Sequence, residues 1–429
     1  MFKKLLSRNS IKGVLATATF KQSLVTFSGI MANGALAAVF YILAARLLGP
    51  EYFGILTVSM AFLTLLSGVF DFGINTGLVR FVGKYFKRDV EKAKRFLKFG
   101  LEIKVFVSLA VVALGWWVIP FISSFFFSRP ELTAPLRVSL IGVGATLLFS
   151  YTITSLQGIQ RFGLWSGVQI GANFLRLGLL LGIWFLAVLS VENALWVHAA
   201  SLFAGFLLGM IFLPKGTLKV KGEASVKKEF FEYNKWVAAF ILVAAFSSRM
   251  DTFISARLLP LAQVGIYGVA LQIVYVVPQI VSALSTVIAP KMASMGGIGD
   301  LVGYLKKTQA LVLGLCALGI LAIPLVLSLI PVIFGQSYAA AGPIFIVLLF
   351  GQLVYLASMP IHMSVFYYFS YPKLFFWVSL GHLTITGAGG WVLISQFGAM
   401  GAAFAVLLGS IFNLLVPVIW VLKKIKSRQ

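Results

Sequence analysis

The sequence predicts an all-α polytopic membrane protein of twelve transmembrane helices, arranged as two pseudo-symmetric six-helix lobes. Three observations predict it. The first is composition: 60% of the 429 residues are hydrophobic, 11% are charged and the mean hydropathy is +0.99. A soluble surface needs about a quarter charged residues. The second is the recurrence of apolar runs near the roughly 20 residues that a helix needs to cross the hydrocarbon layer. The third is an internal repeat. Leu43 to Ala61 reads LAARLLGPEYFGILTVSMA, and Ile254 to Gln272 reads ISARLLPLAQVGIYGVALQ. Arg46 aligns with Arg257, Gly54 with Gly265, Ile55 with Ile266 and Val58 with Val269, all at an offset of 211 residues. An offset near half the chain length implies two homologous halves. An even number of spans per half makes this a parallel repeat, with a binding site expected between the halves.

The spans fall at about 23–48, 51–73, 99–127, 137–158, 163–190, 193–214, 236–259, 262–289, 308–331, 341–367, 373–396 and 399–422. They divide the chain into a basic amphipathic segment (1–22), an N-lobe (23–214), an inter-lobe loop (215–235), a C-lobe (236–422) and a basic tail (423–429). Pro50 fits just inside a helix start, where its missing N–H is not needed. The opening segment spreads its basic residues through its length, so it reads as a lead-in to the first span rather than a cleaved signal peptide.

Charge position supports the count. The net charge of +23 would suggest nucleic acid in a soluble chain. Here Lys and Arg gather in the opening segment, the second loop (Arg80 to Lys98), the sixth (Lys215 to Lys235), the eighth and the tail. The odd-numbered loops hold few charges, among them Arg46, Glu51, Arg129, Glu131, Glu192 and Arg257. Such alternation places both termini and the even loops in the cytoplasm of a cell-membrane protein, with anionic lipids against the basic face and no nucleic-acid partner. Within the second loop, Leu78, Phe81, Val82, Tyr85, Phe86, Val90, Ala93, Phe96 and Leu97 recur at helical spacing with cations between them. Two readings follow: one helix lying along the inner membrane surface, or charge that only fixes topology.

Enzyme signatures are thin. His198, His362 and His382 lie on three different spans without the paired spacing of a zinc site, and read as buried hydrogen-bonded residues. No metal site is expected. The single cysteine, Cys316, excludes an intramolecular disulfide and a thiolate cluster. No phosphate-binding glycine loop is present, so ATP hydrolysis is not expected.

Charges inside the spans are therefore the informative residues, because each costs about 2.5–3.5 kcal/mol to place mid-membrane even on the lenient insertion scale. Span seven carries Arg249 and Asp251 close to mid-depth. On an unbroken helix they point about 160° apart, with Ser247, Asp251 and Ser255 on one face. Both could face protein only if the helix is surrounded or locally broken. Arg176 in span five is a third deep cation, and Asn33 a polar residue near the middle of span one. Asp71 ends span two near the cytoplasmic entrance, with Arg80 after it, and Lys21 precedes span one. Each of these is a candidate for substrate contact or for an interhelical bond that holds the bundle.

In order, ARLLGPEYFGILTV, DFGINTGLVRF, RMDTFISARL, VGIYGVA and IFGQSYAAAGPIF resemble the polysaccharide-biosynthesis (Wzx-type) oligosaccharide flippases of the multidrug/oligosaccharidyl-lipid/polysaccharide (MOP) superfamily, to which the MATE exporters also belong. The resemblance runs from about Ser23 to the tail. It implies two six-helix lobes around a cavity formed largely by spans one, two, seven and eight. It also implies movement of polyprenyl-(pyro)phosphate-linked oligosaccharide to the outer leaflet by alternating access, without enzyme activity or cofactor. Coupling to H+ or Na+ stays open, and other polysaccharide-assembly proteins are the implied partners. Cationic cavity residues would hold the pyrophosphate or acidic sugars, a role that falls to Arg249, with Asp251 and Asn33 nearby. Three rivals remain. A cation-coupled drug exporter of the same fold would favour acidic residues deep in the N-lobe, and spans one and three to six show none at mid-depth. A lipid II flippase commonly has fourteen spans. A membrane glycan polymerase or ligase would be expected to carry a larger outer loop or domain.

Overall fold

The computed structural model of the protein describes residues 18–427, and these contain helices and turns without a strand. Sixteen α-helices follow in chain order: α1 (Ala18–Val69), α2 (Ile74–Tyr85), α3 (Val90–Phe121), α4 (Thr133–Gly158), α5 (Phe162–Phe185), α6 (Val191–Ile211), α7 (Ala224–Ser247), α8 (Met250–Leu258), α9 (Leu261–Val274), α10 (Val276–Ala293), α11 (Ile298–Leu321), α12 (Ile323–Phe334), α13 (Ala341–Met363), α14 (Lys373–Thr384), α15 (Gly390–Phe397) and α16 (Ala399–Lys426). Ten helical stretches among the described residues are long and apolar enough to cross a membrane. One of them, Phe27–Val69, runs through a non-helical Gly49 (φ 76°, ψ 171°) followed by Pro50. The basic segment 1–17 lies outside the described residues, as does the side chain of Lys21.

Helices α2 to α6 pack mainly on one another and on α1, and α8 and α10 to α16 mainly on one another and on α9. Their outer sides are apolar and bare: Phe106, Leu109, Leu114 and Trp117 stand exposed along α3, as expected of a surface that meets lipid.

The two sets of helices join chiefly where α1 crosses α9, and the repeated motif makes that crossing. A Cβ on Gly54 would overlap the Leu261 carbonyl oxygen, and one on Gly265 would overlap that of Pro50. One turn further, Gly268 sits against Thr57, its own counterpart at the same offset. Small residues here let two backbones touch. The repeated arginines stitch the same end. Arg46 Nη1 donates to the carbonyls of Val332 (3.1 Å) and Ile333 (3.4 Å), near the end of α12. Arg257 Nη1 reaches the Phe125 carbonyl (3.4 Å), in the π-helical turn Ile122–Phe126 that continues α3. Each arginine thus bonds across to the other set of helices. Arg129 adds bonds from Nε to Ala256 O (2.8 Å) and from Nη2 to Leu259 O (2.5 Å), and Tyr338 donates to Ala45 O (2.8 Å).

The second loop is not one surface helix. Asp89 caps α3 by accepting from Lys92 N, so residues 78–97 form the end of α2, a turn and the start of α3. Their apolar face turns into protein rather than lipid: Phe81 stacks on Phe96, and both meet Phe230 of α7. The cations between them pair with acids around α7. Lys84 and Lys92 approach Glu229 at 3.5 and 3.1 Å, and Arg95 bonds Glu223.

Span seven is broken. Helix α7 ends at Ser247, and Arg249 (φ −136°, ψ 0°) sits in the break before α8. The Ser247–Ser248 pair is the local cause in the sequence, since serine pairs are a known origin of sharp kinks. The face analysis of an unbroken helix therefore fails. Ser247 bonds His382 Nδ1 on α14 (2.5 Å), whereas Asp251 turns to α9.

Candidate functional site

Arg176 lies on the inner face of α5 and is 6% exposed. Its guanidinium sits over the Phe40 ring of α1, 4.4 Å from the centroid. Nη1 lies 3.2 Å from His198 Nδ1 on α6. Arginine has only donors, so this ring nitrogen accepts and Nε2 carries the proton. Nη2 donates to Asn173 Oδ1, and the Asn173 amide donates in turn to Asn33 Oδ1. The sequence candidates Asn33 and Arg176 thus join one hydrogen-bonded chain through a residue the sequence reading passed over. Asn173 stands three positions before Arg176, a spacing that puts both on one helix face and could have pointed to it.

Arg249 approaches from the other set of helices. It is partly buried, and its Nε, like that of Arg176, is buried without a hydrogen-bond partner. Tyr41 of α1 lies within electrostatic reach of both arginines and of Tyr275. Among the described residues neither arginine makes an ion pair with a carboxylate. Two arginines, one on α5 and one in the break in span seven, therefore each keep a buried Nε without a partner and no ion pair to a carboxylate among the described residues, and the first sits beside two side-chain amides. A guanidinium left unpaired at depth is costly, and its planar donors match phosphate or carboxylate oxygens two at a time. What this arrangement can do chemically is hold an anion.

Asp251, two residues beyond Arg249, is held by another partner. It is buried and accepts from the Tyr267 hydroxyl of α9. The hydroxyls of Thr252 and Ser255 beside it are buried without partners. Asp71 also turns inward: it bonds Lys104 of α3, and Lys104 also reaches Ser150 Oγ (3.2 Å). With Ser67, Gly68, Asn75, Thr146 and Ile241, Asp71 and Ser150 line a cavity of about 270 Å3. Lys104 is fully buried. The sequence signal for it was a lysine a few residues inside span three, on a helix read only for acids. Arg80 is exposed and stacks over Tyr233, 4.2 Å from its centroid. His362 bonds Asn413 O (2.9 Å). No cluster of metal-ligating residues occurs among the described residues.

Against known proteins, the chain is 19% identical over 303 residues to a putative O-antigen transporter of Shigella flexneri, covering 68% of this chain and 71% of that one. Two solved structures share the fold. One is the inward-facing conformation of a multidrug resistance MATE family transporter of the MOP superfamily, with a TM-score of 0.74 at 14% identity, covering 94% of this chain and 98% of that one. The other is the lipid II flippase MurJ in an inward closed conformation, with a TM-score of 0.71 at 14% identity, covering 93% and 87%. The family model described as polysaccharide biosynthesis protein matches residues 19–296. The chain belongs to the polysaccharide biosynthesis protein family.

Proposed function

We propose that the protein flips a polyprenyl-(pyro)phosphate-linked oligosaccharide from the cytoplasmic to the outer leaflet by alternating access. The observation that carries the reading is the pair Arg176 and Arg249, drawn from opposite halves, each with a buried Nε that has no partner and neither in an ion pair with a carboxylate among the described residues. Such a site suits a phosphate group and repels the cationic substrates of a drug exporter. Family membership supports the same substrate class.

The architecture in this reading is twelve spans in two six-helix lobes. Gly49 divides Phe27–Val69 into spans one and two, and α7 with α8 makes span seven. The N-lobe covers 23–214, the C-lobe 236–422, with 215–235 between them. The even loops and both termini face the cytoplasm of a cell membrane, and the Gly54–Gly265 crossing lies toward the outer surface. The lobes are then closed on the outside, and substrate enters from the cytoplasmic side. Asp251, bonded to Tyr267, stands near Arg249 but is a C-lobe packing or ion-coupling residue rather than a substrate contact.

The test is reconstitution of the full-length protein in proteoliposomes with a fluorescent polyprenyl-pyrophosphate sugar and a membrane-impermeant quencher. The reading expects protein-dependent movement between leaflets. Flipping no faster than in protein-free vesicles, across several sugars and with H+ and Na+ gradients supplied, contradicts it.

A further inference from the structure

The two repeated arginines are not used equally. Arg46 reaches two carbonyls, the nearer at 3.1 Å, whereas Arg257 makes one long bond of 3.4 Å to Phe125 O. Arg257 instead faces a cavity of about 380 Å3, the larger of the two described here. Its lining has two chemistries. Ser124 and Ser128 supply hydroxyls that make no hydrogen bond among the described residues, and Phe125, Phe126 and Trp391 supply exposed aromatic faces.

The backbone around this cavity is irregular on both sides. Ser124, Phe125 and Phe126 belong to the π-helical turn Ile122–Phe126, and Ser128 beyond it has a positive φ of 54°. Trp391 stands two residues beyond another π-helical turn, Ile385–Gly389, on the opposite half. Such turns concentrate at functional sites because they re-aim side chains at a cost in hydrogen-bond geometry. No carboxylate lines the cavity among the described residues, and Glu131 pairs with Arg129 at 3.4 Å. A guanidinium with spare donors, two hydroxyls and a strip of bare aromatic surface at one mouth fit an amphiphile with an anionic head.

We infer that this cleft binds an anionic phospholipid of the leaflet it faces, its phosphate on Arg257, Ser124 and Ser128 and an acyl chain along Phe125, Phe126 and Trp391. A phosphate there competes with the Phe125 carbonyl for Arg257. Lipid binding therefore loosens one of the arginine links between the halves, while the Arg46 and Arg129 links are untouched. The inference requires neither transport nor a given orientation, so it can fail while the proposed function stands, and the reverse.

The experiment is photolabelling of the purified full-length protein in detergent with phosphatidylglycerol carrying a photoreactive group on its acyl chain, followed by peptide mapping. Labelling is expected on residues 121–128 or on Trp391, with competition by unlabelled phosphatidylglycerol and none by diacylglycerol or inorganic phosphate. Arg257→Ala should reduce that labelling at least fivefold, Arg257→Gln likewise, and Arg46→Ala should leave it within twofold. The Arg46 variant controls for loss of the interlobe link alone, and Ser124→Ala with Ser128→Ala provides a second test should Arg257 variants fold poorly. Labelling that diacylglycerol competes away equally, that inorganic phosphate abolishes, that persists without Arg257 or both serines, or that maps elsewhere overturns the inference.

Discussion

Gly54 and Gly265 meet back to back. A Cβ on the first would lie 3.1 Å from the amide nitrogen of the second, and a Cβ on the second 3.0 Å from that of the first. They are also the same position of the internal repeat, at an offset of 211 residues. Backbone here touches backbone, and an added methyl group has no flexible side chain to push aside.

Gly54→Ala or Gly265→Ala should therefore open this end of the molecule. Overpacking of this kind costs about 1–3 kcal/mol, so transport should fall roughly tenfold or more and the melting temperature should drop. Gly34→Ala, where an added Cβ meets nothing within 4 Å, is the matched control and should change neither. Equal behaviour of the three variants would contradict a tight seam.

The arginine links make a graded prediction. Arg46→Ala removes two hydrogen bonds and Arg257→Ala one, each contributing about 1 kcal/mol net, so single variants should still close. The double variant should shift the population toward separation. Spin labels at Glu51 and Gln263 in a Cys316→Ser background report the distance between the halves. A distance distribution in the double variant identical to that of the parent would contradict the assignment.

Asp71 and Lys104 form a buried pair, and removing one partner strands the other charge at a cost of about 3–5 kcal/mol. Asp71→Asn and Lys104→Met should each express poorly or melt early, and the double replacement should recover much of the loss. Failure of the double variant to recover would point to a role beyond packing.

Glu229 gives the pH dependence. Burial alone would raise its carboxyl, but hydrogen bonds from Lys92 and Tyr85 and the charges of Lys92 and Lys84 outweigh that and hold it below the usual range. A depressed carboxyl stabilises the fold above its unfolded pKa of about 4.3 and loses that contribution as pH falls through the lower folded value. The site is part-exposed, so the effect is small, about 1 kcal/mol at most. The melting-temperature gap between the parent and Glu229→Gln should be present at pH 7 and shrink below about pH 4. A gap unchanged by pH would contradict the pairing.

Much of this was legible in the sequence because a membrane constrains it so heavily. Composition gave the class, and the repeat at Arg46/Arg257 and Gly54/Gly265 pointed to two homologous halves, but not to the two copies packing on each other where α1 crosses α9. Glycines in general carried no signal among 41 of them, since only the fold reveals which two face each other. Arg176, Arg249 and Asn33 stood out because burying them in hydrocarbon is costly. Asn173 did not, because it is recruited by packing between helices far apart in sequence, whereas His198 was read as a buried hydrogen-bonded residue and is one, with Arg176 as its partner. The break at Arg249 misled the face analysis: Ser247 and Ser248 carried the signal, without the glycine or proline that usually announces one. Lys104 was hidden because its partner, Asp71, was read with the residues that follow it rather than with span three.

The central claim is that Arg176 and Arg249 jointly hold the phosphate of a lipid-linked sugar. The most direct measurement is single-vesicle flipping of the fluorescent polyprenyl-pyrophosphate sugar by Arg249→Ala, Arg249→Lys, Arg176→Gln and the Arg176→Gln/Arg249→Ala pair, each checked for expression and melting temperature. The account predicts that Arg249→Ala folds, inserts and flips at less than about a tenth of the parental rate, that Arg249→Lys recovers part by restoring charge without the planar fork, and that the pair is inactive. Flipping at the parental rate by well-folded Arg249→Ala and by the pair would contradict it.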